Sequence, residues 1–356
     1  MISSRIENIQ KRLNNNEAAL ISKPCNRFYL TGFNSSDGYV VITKNQAAFL
    51  VDFRYIEKAK EVVKFLDVKL MENSLNDIST LLKNNKINNL YLESEYVSLS
   101  EFFKYQQAFL NVNIDNSNKL DNIITSLRRI KTEDEITNIK KAQEITDKTF
   151  TYILNRIDIN RTEKEIMLDM EFYLRGLGSQ GVSFDFIVVS GKNSSLPHGE
   201  PTDKKINKGD FLTMDFGAVV NGYRSDMTRT VAIKSVTEEQ KEIYNLVLNA
   251  QQKAIDSIKP GVICKDIDKI SRDIIYNAGY KGCFGHGLGH SVGVEIHESP
   301  NFNTKCDTLL EKGMVMTVEP GIYLENRFGV RIEDMVYVTK NGCENLTKSN
   351  KELIIL

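Results

Sequence analysis

The segment that decides the fold of the C-terminal part is residues 210–233, which read DFLTMDFGAVVNGYRSDMTRTVAI. Two apolar runs flank Asn221-Gly222, a dipeptide typical of the two-residue type I′ turn of a β-hairpin. If these two residues form the turn, Asp215 lies opposite Thr228. Asp226 then lies diagonal to Asp215 on the same face, with Cβ atoms about 7 Å apart. The segment therefore predicts a hairpin that points two carboxylates into one space.

The apolar flanks of Asp215 favour a functional pair. A single Asp on a strand is usually a surface residue, but Leu212, Met214 and Phe216 indicate a buried strand. Burying two uncompensated carboxylates is costly, and like charges this close require a metal ion or a shared proton.

All four His residues of the chain fall in two short motifs. His286, His290 and His297 lie within FGHGLGHSVGVEIHESP (284–300), and His198 lies within LPHGE (196–200). A lone His is more often a core or surface residue than a ligand, but three within this glycine-rich segment reverse that expectation. Glycine lets the backbone approach a ligand, and neutral His binds transition metals or acts as acid, base or hydrogen-bond donor.

Two further carboxylates end or interrupt apolar runs near the C terminus. Glu319 lies in GMVMTVEPGIY (313–323), and Glu333 lies in GVRIEDM (329–335). Arg331 and Glu333 are two positions apart on a predicted strand and therefore share a face. The ordinary interpretation is a surface ion pair, but the apolar neighbours favour a buried one.

Charge counting favours two divalent ions over one. Asp215, Asp226, Glu319 and Glu333 together carry −4, which two divalent cations would neutralise. Oxygen-rich ligands with a single His favour Mn²⁺, with Co²⁺ or Zn²⁺ as alternatives. Phosphate-loop and G-x-S-x-G nucleophile motifs are absent from the sequence.

Composition divides the chain into two parts and excludes several classes of protein. Of 21 Gly residues, only Gly32 and Gly38 precede residue 176. Residues 1–125 show an α/β pattern without ligand spacing, which favours a packing or oligomerisation domain. With 46 Lys+Arg against 47 Asp+Glu, neither a nucleic acid nor an anionic membrane is an expected partner. Five scattered Cys and no secretory or membrane-spanning segment predict a cytoplasmic protein.

In residues 126–356, helices are predicted to start at the capping boxes of Thr132, Thr162 and Thr237. A fourth helix is predicted to reach about Ala278, with Gly279 after its end. The predicted strand runs lie between and after these helices and are 184–190, 210–220, 223–233, 291–297, 314–319 and 330–338.

Taken together, these motifs resemble the pita-bread metallopeptidase family (M24), which includes aminopeptidase P, prolidase and methionine aminopeptidase. The motifs that carry the resemblance are PHG (197–199), MDFG (214–217), SDMTR (225–229), GHGLGH (285–290), HE-x-P (297–300), TVEPG (317–321) and VRIED (330–334). The resemblance implies a creatinase-like α/β N-terminal domain over 1–125 and an α+β pita-bread catalytic domain over 126–356.

The resemblance also implies roles for individual residues. The metal ligands would be Asp215, Asp226, His290, Glu319 and Glu333. Glu319 would also shuttle a proton, His297 would steady the tetrahedral intermediate, and His198, His286 and Tyr323 would line the substrate pocket. Arg331 would hold the ligands from behind.

Within the family, the sequence favours the proline-directed branch. Methionine aminopeptidases resemble only the second part and carry Gln at the position of Arg331. Prolidases often carry Arg after HE-x-P, where this chain has Asn301, and residues 52–55 resemble bacterial aminopeptidase P-like proteins. We therefore expect an Xaa-Pro aminopeptidase, with Xaa-Pro dipeptidase (prolidase) as the alternative and an inactive peptide-binding homologue as a remote one. The expected partners are a proline-containing peptide and a second copy of the chain in a homodimer.

Overall fold

The computed structural model describes residues 2–356, which form two compact units that meet between Arg128 and Arg129 in the sequence. Residues 2–128 form a six-stranded mixed sheet with helices. The helices are α1 (Ser3–Gln10), α2 (Pro24–Thr31), α3 (Ile56–Val62), α4 (Ser74–Asn84), α5 (Leu99–Ala108) and α6 (Lys119–Arg129). The strands are β1 (Glu17–Ile21), β2 (Tyr39–Thr43), β3 (Ala47–Val51), β4 (Asp67–Leu70), β5 (Asn89–Leu92) and β6 (Asn113–Asp115).

The sheet of the first unit has the order β4-β3-β2-β1-β5-β6. Strands β1, β2 and β3 are buried along nearly their whole length, so both faces are covered, as their continuous apolar runs predict. Ile78, Leu90 and Phe109 belong to the cluster that forms the core.

The second unit has four long helices, three of which begin at the predicted positions. They are α7 (Glu133–Leu154), α8 (Glu163–Gly176), α9 (Glu238–Ser257) and α10 (Cys264–Ile275). Thr132, Thr162 and Thr237 each form a complete capping box, so all three predicted starts are confirmed. A π-helical turn follows α10, in which Gly279 adopts a φ of 94°.

The predicted hairpin register is confirmed. The strands are β7 (Ile187–Ser190), β8 (Phe211–Phe216), β9 (Val219–Val220), β10 (Tyr223–Arg224) and β11 (Met227–Ala232). Asp215 lies opposite Thr228 in the β8–β11 ladder. Asn221 and Gly222 have φ values of 48° and 77°, as a type I′ turn requires.

The hairpin differs from the prediction in that each arm is interrupted. Residues 217–218 and 225–226 separate the ladder into an outer and an inner part. A Cβ on Gly217 would lie 1.9 Å from the carbonyl oxygen of Ser225, so the two backbones approach closely at this break. Asp226 consequently lies outside the regular ladder.

The remaining strands form a second sheet and a separate hairpin. They are β12 (Gly289–Ser291), β13 (Glu298–Phe302), β14 (Val315–Val318), β15 (Gly321–Leu324), β16 (Phe328–Arg331), β17 (Asp334–Val338) and β18 (Cys343–Asn345). The five-stranded sheet has the order β13-β12-β14-β17-β18, and β15 pairs with β16.

Two strand predictions in this region were wrong in detail. The predicted strand 291–297 is mostly a loop between β12 and β13, because Gly293 N–H donates to the Glu295 carbonyl and Glu295 N–H donates to the Glu298 carboxylate. The predicted strand 330–338 is broken at 332–333, so Arg331 and Glu333 do not share one strand.

Each helix pair of the second unit packs on its own sheet. One cluster joins α7 and α8 to β7, β8 and β11, with Phe150, Met170 and Met214 in its core. The other joins α9 and α10 to β13–β18, with Val247 and Met316 in its core. None of the helices within residues 2–356 combines the length and apolar character that a bilayer span requires.

Candidate active site

The five predicted metal ligands lie together in the second unit. Asp215 lies on β8 and His290 on β12, whereas Asp226, Glu319 and Glu333 lie at strand breaks or ends. The irregular backbone at those breaks turns side chains away from the two-residue alternation of a strand. This is why ligands from both sheets and their breaks can meet.

The shortest distances define the centre of the cluster. One ligand atom each of Asp226, His290 and Glu333 lie within 4.8 Å of one another. The Nε2 atom of His290 is 3.4 Å from Oε1 of Glu319 and 3.6 Å from Oδ2 of Asp226. Asp215 contributes to the raised pKa of Asp226 through charge repulsion and a side-chain contact.

The carboxylates show the features that a bound cation would relieve. Among residues 2–356, Oδ1 of Asp215, Oδ1 of Asp226 and Oε1 of Glu333 are buried without a hydrogen-bond partner. Burial, followed by repulsion from neighbouring carboxylates, raises the pKa of Asp226 and of Glu333 well above ordinary values. Burial raises the pKa of Glu319 to about 8. These residues therefore fit divalent cations, which would satisfy the free oxygens and favour the ionised carboxylates.

His290 is held in the state that a metal ligand needs. Its Nδ1 lies 3.1 Å from the carbonyl oxygen of Ser291, which can only accept, so Nδ1 carries the proton. The lone pair of Nε2 then faces the carboxylates. Burial lowers the pKa of His290 to about 4, so the ring is neutral at physiological pH.

Two threonines that sequence reasoning missed orient the carboxylates. The Thr228 hydroxyl donates to Oε2 of Glu333 at 2.8 Å and accepts from Nε of Arg331 at 3.1 Å. The Thr317 hydroxyl donates to Oε1 of Glu319 at 3.1 Å and accepts from the His290 backbone N–H at 3.0 Å. Thr317 lies within TVEPG, two positions before Glu319, so alternation along the strand was the available signal.

A buried hydrogen-bond chain runs from Asp215 to His286. Arg331 donates to Oδ2 of Asp215 at 2.7 Å and to the Tyr323 hydroxyl at 2.8 Å. Because Nδ1 of His286 must donate to the Gly287 carbonyl, its Nε2 accepts from the Tyr323 hydroxyl at 3.0 Å. Burial, with the charge of Arg331 second, lowers the pKa of His286 to about 4.

The other two histidines lie towards solvent. His198 and His297 are both exposed, and the His297 ring lies 4.5 Å from that of His290, centroid to centroid. Partial burial and the neighbouring His198 lower the pKa of His297. Both line a cavity of about 940 Å³ that also contains the five ligand candidates, His286 and Arg331.

Buried ionic pairs that sequence reasoning missed hold two of the histidine loops. Arg272 forms a bidentate pair with Asp268 and donates to the His286 carbonyl at 2.8 Å. Lys131 lies 3.1 Å from Glu298, whose other oxygen accepts from the Glu295 backbone N–H. Glu298 directly follows His297 in the sequence, but nothing local identifies its buried cation.

Comparisons with known proteins agree with this architecture. The model for metallopeptidase family M24 matches residues 137–340, and the Creatinase/Prolidase N-terminal domain matches residues 5–130. The chain is 39% identical to an Xaa-Pro dipeptidase of Pyrococcus furiosus over 99% of this chain and 100% of that protein.

Solved structures with the same fold include both proline-directed activities. An Xaa-Pro dipeptidase from Bacillus anthracis superposes with a TM-score of 0.95 at 38% identity, covering 100% of both chains. An X-Pro aminopeptidase from Thermotoga maritima gives a TM-score of 0.90 at 36% identity, covering 98% of this chain and 100% of that one.

The expected fold class, an α/β creatinase-like domain followed by an α+β pita-bread domain, is confirmed by these matches. So is the expected enzyme class, a metal-dependent peptidase. The chain belongs to metallopeptidase family M24.

Proposed function

We propose that this protein is an Xaa-Pro dipeptidase, which hydrolyses dipeptides with proline in the second position. The observation that carries the proposal is the buried cluster of four carboxylates and His290 in a cavity of about 940 Å³. The full-length similarity to the dipeptidases of Pyrococcus furiosus and Bacillus anthracis supports the choice of substrate.

This proposal reverses the preference drawn from sequence. Asn301 favoured the aminopeptidase, because a neutral amide cannot form the ion pair that an Arg would form with the free carboxylate of a dipeptide. The relatives named dipeptidase favour the alternative. Xaa-Pro aminopeptidase remains the second candidate, since Asn301 lines the cavity opposite His290 and a Thermotoga maritima X-Pro aminopeptidase shares the fold.

We propose that Asp215, Asp226, His290, Glu319 and Glu333 hold two divalent ions, with Mn²⁺ preferred. When bound, such ions polarise a carbonyl oxygen and supply a nucleophile from water at neutral pH. The candidate ligands lie close to one another, and Arg331 orients Asp215 by donating a hydrogen bond of 2.7 Å to its Oδ2.

The chain's own residues would bind and protonate the substrate. The Thr317 hydroxyl holds one carboxylate oxygen of Glu319, and the carboxylate would take a proton and pass it to the leaving proline nitrogen. His297 would donate a hydrogen bond to the developing charge on the scissile carbonyl oxygen. His198 would contact the substrate at the cavity mouth and His286 at its inner wall, while Tyr323, which lies outside the cavity lining, would hold His286 through its hydroxyl.

A substrate panel tests the proposal. Chelator-treated protein, reloaded separately with Mn²⁺, Co²⁺ and Zn²⁺, should cleave an Xaa-Pro dipeptide with a higher kcat/KM than the matching Xaa-Pro-Xaa tripeptide. The matched control is Xaa-Ala, which should be cleaved poorly. A preference for the tripeptide would establish the aminopeptidase instead, and no turnover of either with any ion would contradict both.

We further propose a cytoplasmic homodimer. Cys264, Cys283, Cys306 and Cys343 carry free thiols, which is typical of a reducing compartment. The first unit exposes Leu99, Phe103 and Leu110, which a second copy could cover. Light scattering should then report twice the 40.5 kDa mass of the chain.

A further inference from the structure

Glu163 is a fully buried carboxylate outside the candidate active site. It is the first residue of α8 and has no solvent exposure. A buried carboxylate is costly unless its oxygens are satisfied by hydrogen bonds or a cation. The hydrogen-bond donors around Glu163 therefore indicate its structural role.

Both oxygens of Glu163 accept hydrogen bonds from the two ends of one loop. Oε1 accepts from the Ser190 backbone N–H at 2.6 Å and from the Ser190 hydroxyl at 2.9 Å. Oε2 accepts from the Thr202 backbone N–H at 3.1 Å and from the Thr202 hydroxyl at 2.6 Å. The Asn193 amide donates to both oxygens at 3.2 Å. Glu163 thus joins the entry and the exit of residues 190–202.

That loop carries His198, whose position depends on the backbone. Within residues 2–356, no hydrogen bond is recorded for the His198 ring, which is exposed in a tight turn closed by Gly199 N–H donating to the Leu196 carbonyl at 3.1 Å. The loop has a further tie next to His198, where Arg331 donates to the Pro197 carbonyl at 3.1 Å. The ring can therefore be held over the cavity only if the loop is held.

We propose that Glu163 is a positioning residue, which anchors residues 190–202 and so places His198 against the substrate. The inference rests on the proposed function, because His198 acquires a role only when a substrate occupies the cavity. Glu163 itself lies outside the cavity lining and acts through the loop.

The Glu163→Gln substitution tests this with little change of size. Whichever side the new amide nitrogen takes, it faces the backbone N–H of Ser190 or of Thr202, and neither can reverse its polarity. One end of the loop is released. A displacement of a contact residue by about 1 Å can lower the rate by about 100-fold. We therefore expect kcat/KM to fall by roughly 10- to 100-fold, mostly through a higher KM.

A double-mutant cycle with His198→Ala separates positioning from general destabilisation. If Glu163 acts through His198, the double variant should be no worse than His198→Ala alone. The matched control is Glu93→Gln in the first unit, another buried carboxylate, which accepts from Ser22, Lys23 and Asn26. It should lower the melting temperature and leave kcat and KM unchanged.

Hydrogen exchange of the metal-loaded proteins provides a readout that does not depend on turnover. Peptides covering 190–202 should exchange faster in Glu163→Gln than in wild type, and those of Glu93→Gln should match wild type. If Glu163→Gln folds poorly, Thr202→Val replaces it in both assays. This variant removes one hydrogen-bond donor to Glu163 and keeps the carboxylate, so its effect should have the same direction and be smaller.

Additive losses in the cycle, or unchanged exchange over 190–202, would overturn the inference. A wild-type protein that cleaves no proline peptide would instead overturn the proposed function and the role of His198 with it. In that case the exchange rates still decide whether Glu163 anchors the loop.

Discussion

Glu333 is a buried carboxylate surrounded by other candidate ligands with negative charge. It is 1% exposed, one of its oxygens has no partner within residues 2–356, and burial with Asp226 and Glu319 raises its pKa. Only a cation makes its ionised form favourable in this position. Glu333 therefore destabilises the folded state of the metal-free protein and stabilises that of the metal-loaded protein.

Glu333→Gln should separate the two states. We expect kcat/KM to fall further than the roughly 10- to 100-fold that outer residues around a metal typically cost. The metal-free variant should melt at the same temperature as metal-free wild type or higher, because Gln is neutral without the proton that Glu333 must take up on folding. Metal content by mass spectrometry, kcat/KM and thermal melts measure these effects, with Glu93→Gln as the control. A variant that retains full metal content and activity would exclude Glu333 as a ligand.

At the scale of elements, strand β12 brings His290 to the cluster because Gly289 has no side chain. A Cβ on Gly289 would lie 2.2 Å from the Thr317 carbonyl oxygen of β14, the strand that precedes Glu319. Four positions earlier, Gly285 has nothing within 4 Å of a built Cβ. Steric contact thus requires glycine at position 289 but not at position 285 of the same motif.

Gly289→Ala should destabilise the metal-loaded protein by about 1–3 kcal/mol, as overpacking in a well-packed region does. It should also reduce activity, because the His290 N–H bond to Thr317 lies at the same contact. The matched Gly285→Ala should change stability by about 0.5 kcal/mol or less. Urea unfolding midpoints measure both, and equal midpoints would show that β12 and β14 can move apart at little cost.

At the scale of the whole molecule, metal binding and stability are linked. Ions that bind mainly the folded state raise its stability by mass action, so a chelator should lower the Tm. Without metal, the carboxyls with raised pKa bind protons in the folded state that the unfolded chain has released. Stability from such groups is present at low pH and is lost as pH rises through the folded pKa, which for Glu319 is about 8.

The Tm difference between metal-loaded and chelated protein should therefore increase between pH 7 and pH 9. The loaded protein is the control, because it shares every other titrating group outside the site. Chelated Glu319→Gln should show a shallower decline over the same range, since one of the titrating carboxyls is absent. A difference that is constant with pH would contradict the inference that these carboxyls are protonated in the metal-free protein.

Sequence alone determined the local features of this protein. The Asn221-Gly222 turn specified the register that puts Asp215 opposite Thr228, because a type I′ turn leaves one pairing. Capping boxes specified the helix starts, since their hydrogen bonds join residues three positions apart. The motifs that contain the candidate ligands could be recognised for the same reason, because each is a short contiguous segment of the sequence.

Only the tertiary structure decided where those pieces meet. Asp226 and Glu333 were placed on continuous strands, yet both lie at breaks between strands. Glu163 and Lys131 gave no local signal, and the Arg272–Asp268 pair, four positions apart on α10, gave none for the loop that it holds. Lys131 and Glu163 meet partners up to 167 and 39 positions away, and Arg272 reaches across to the His286 loop. Their roles depend on burial, which isolates charges from water and which no local pattern encodes.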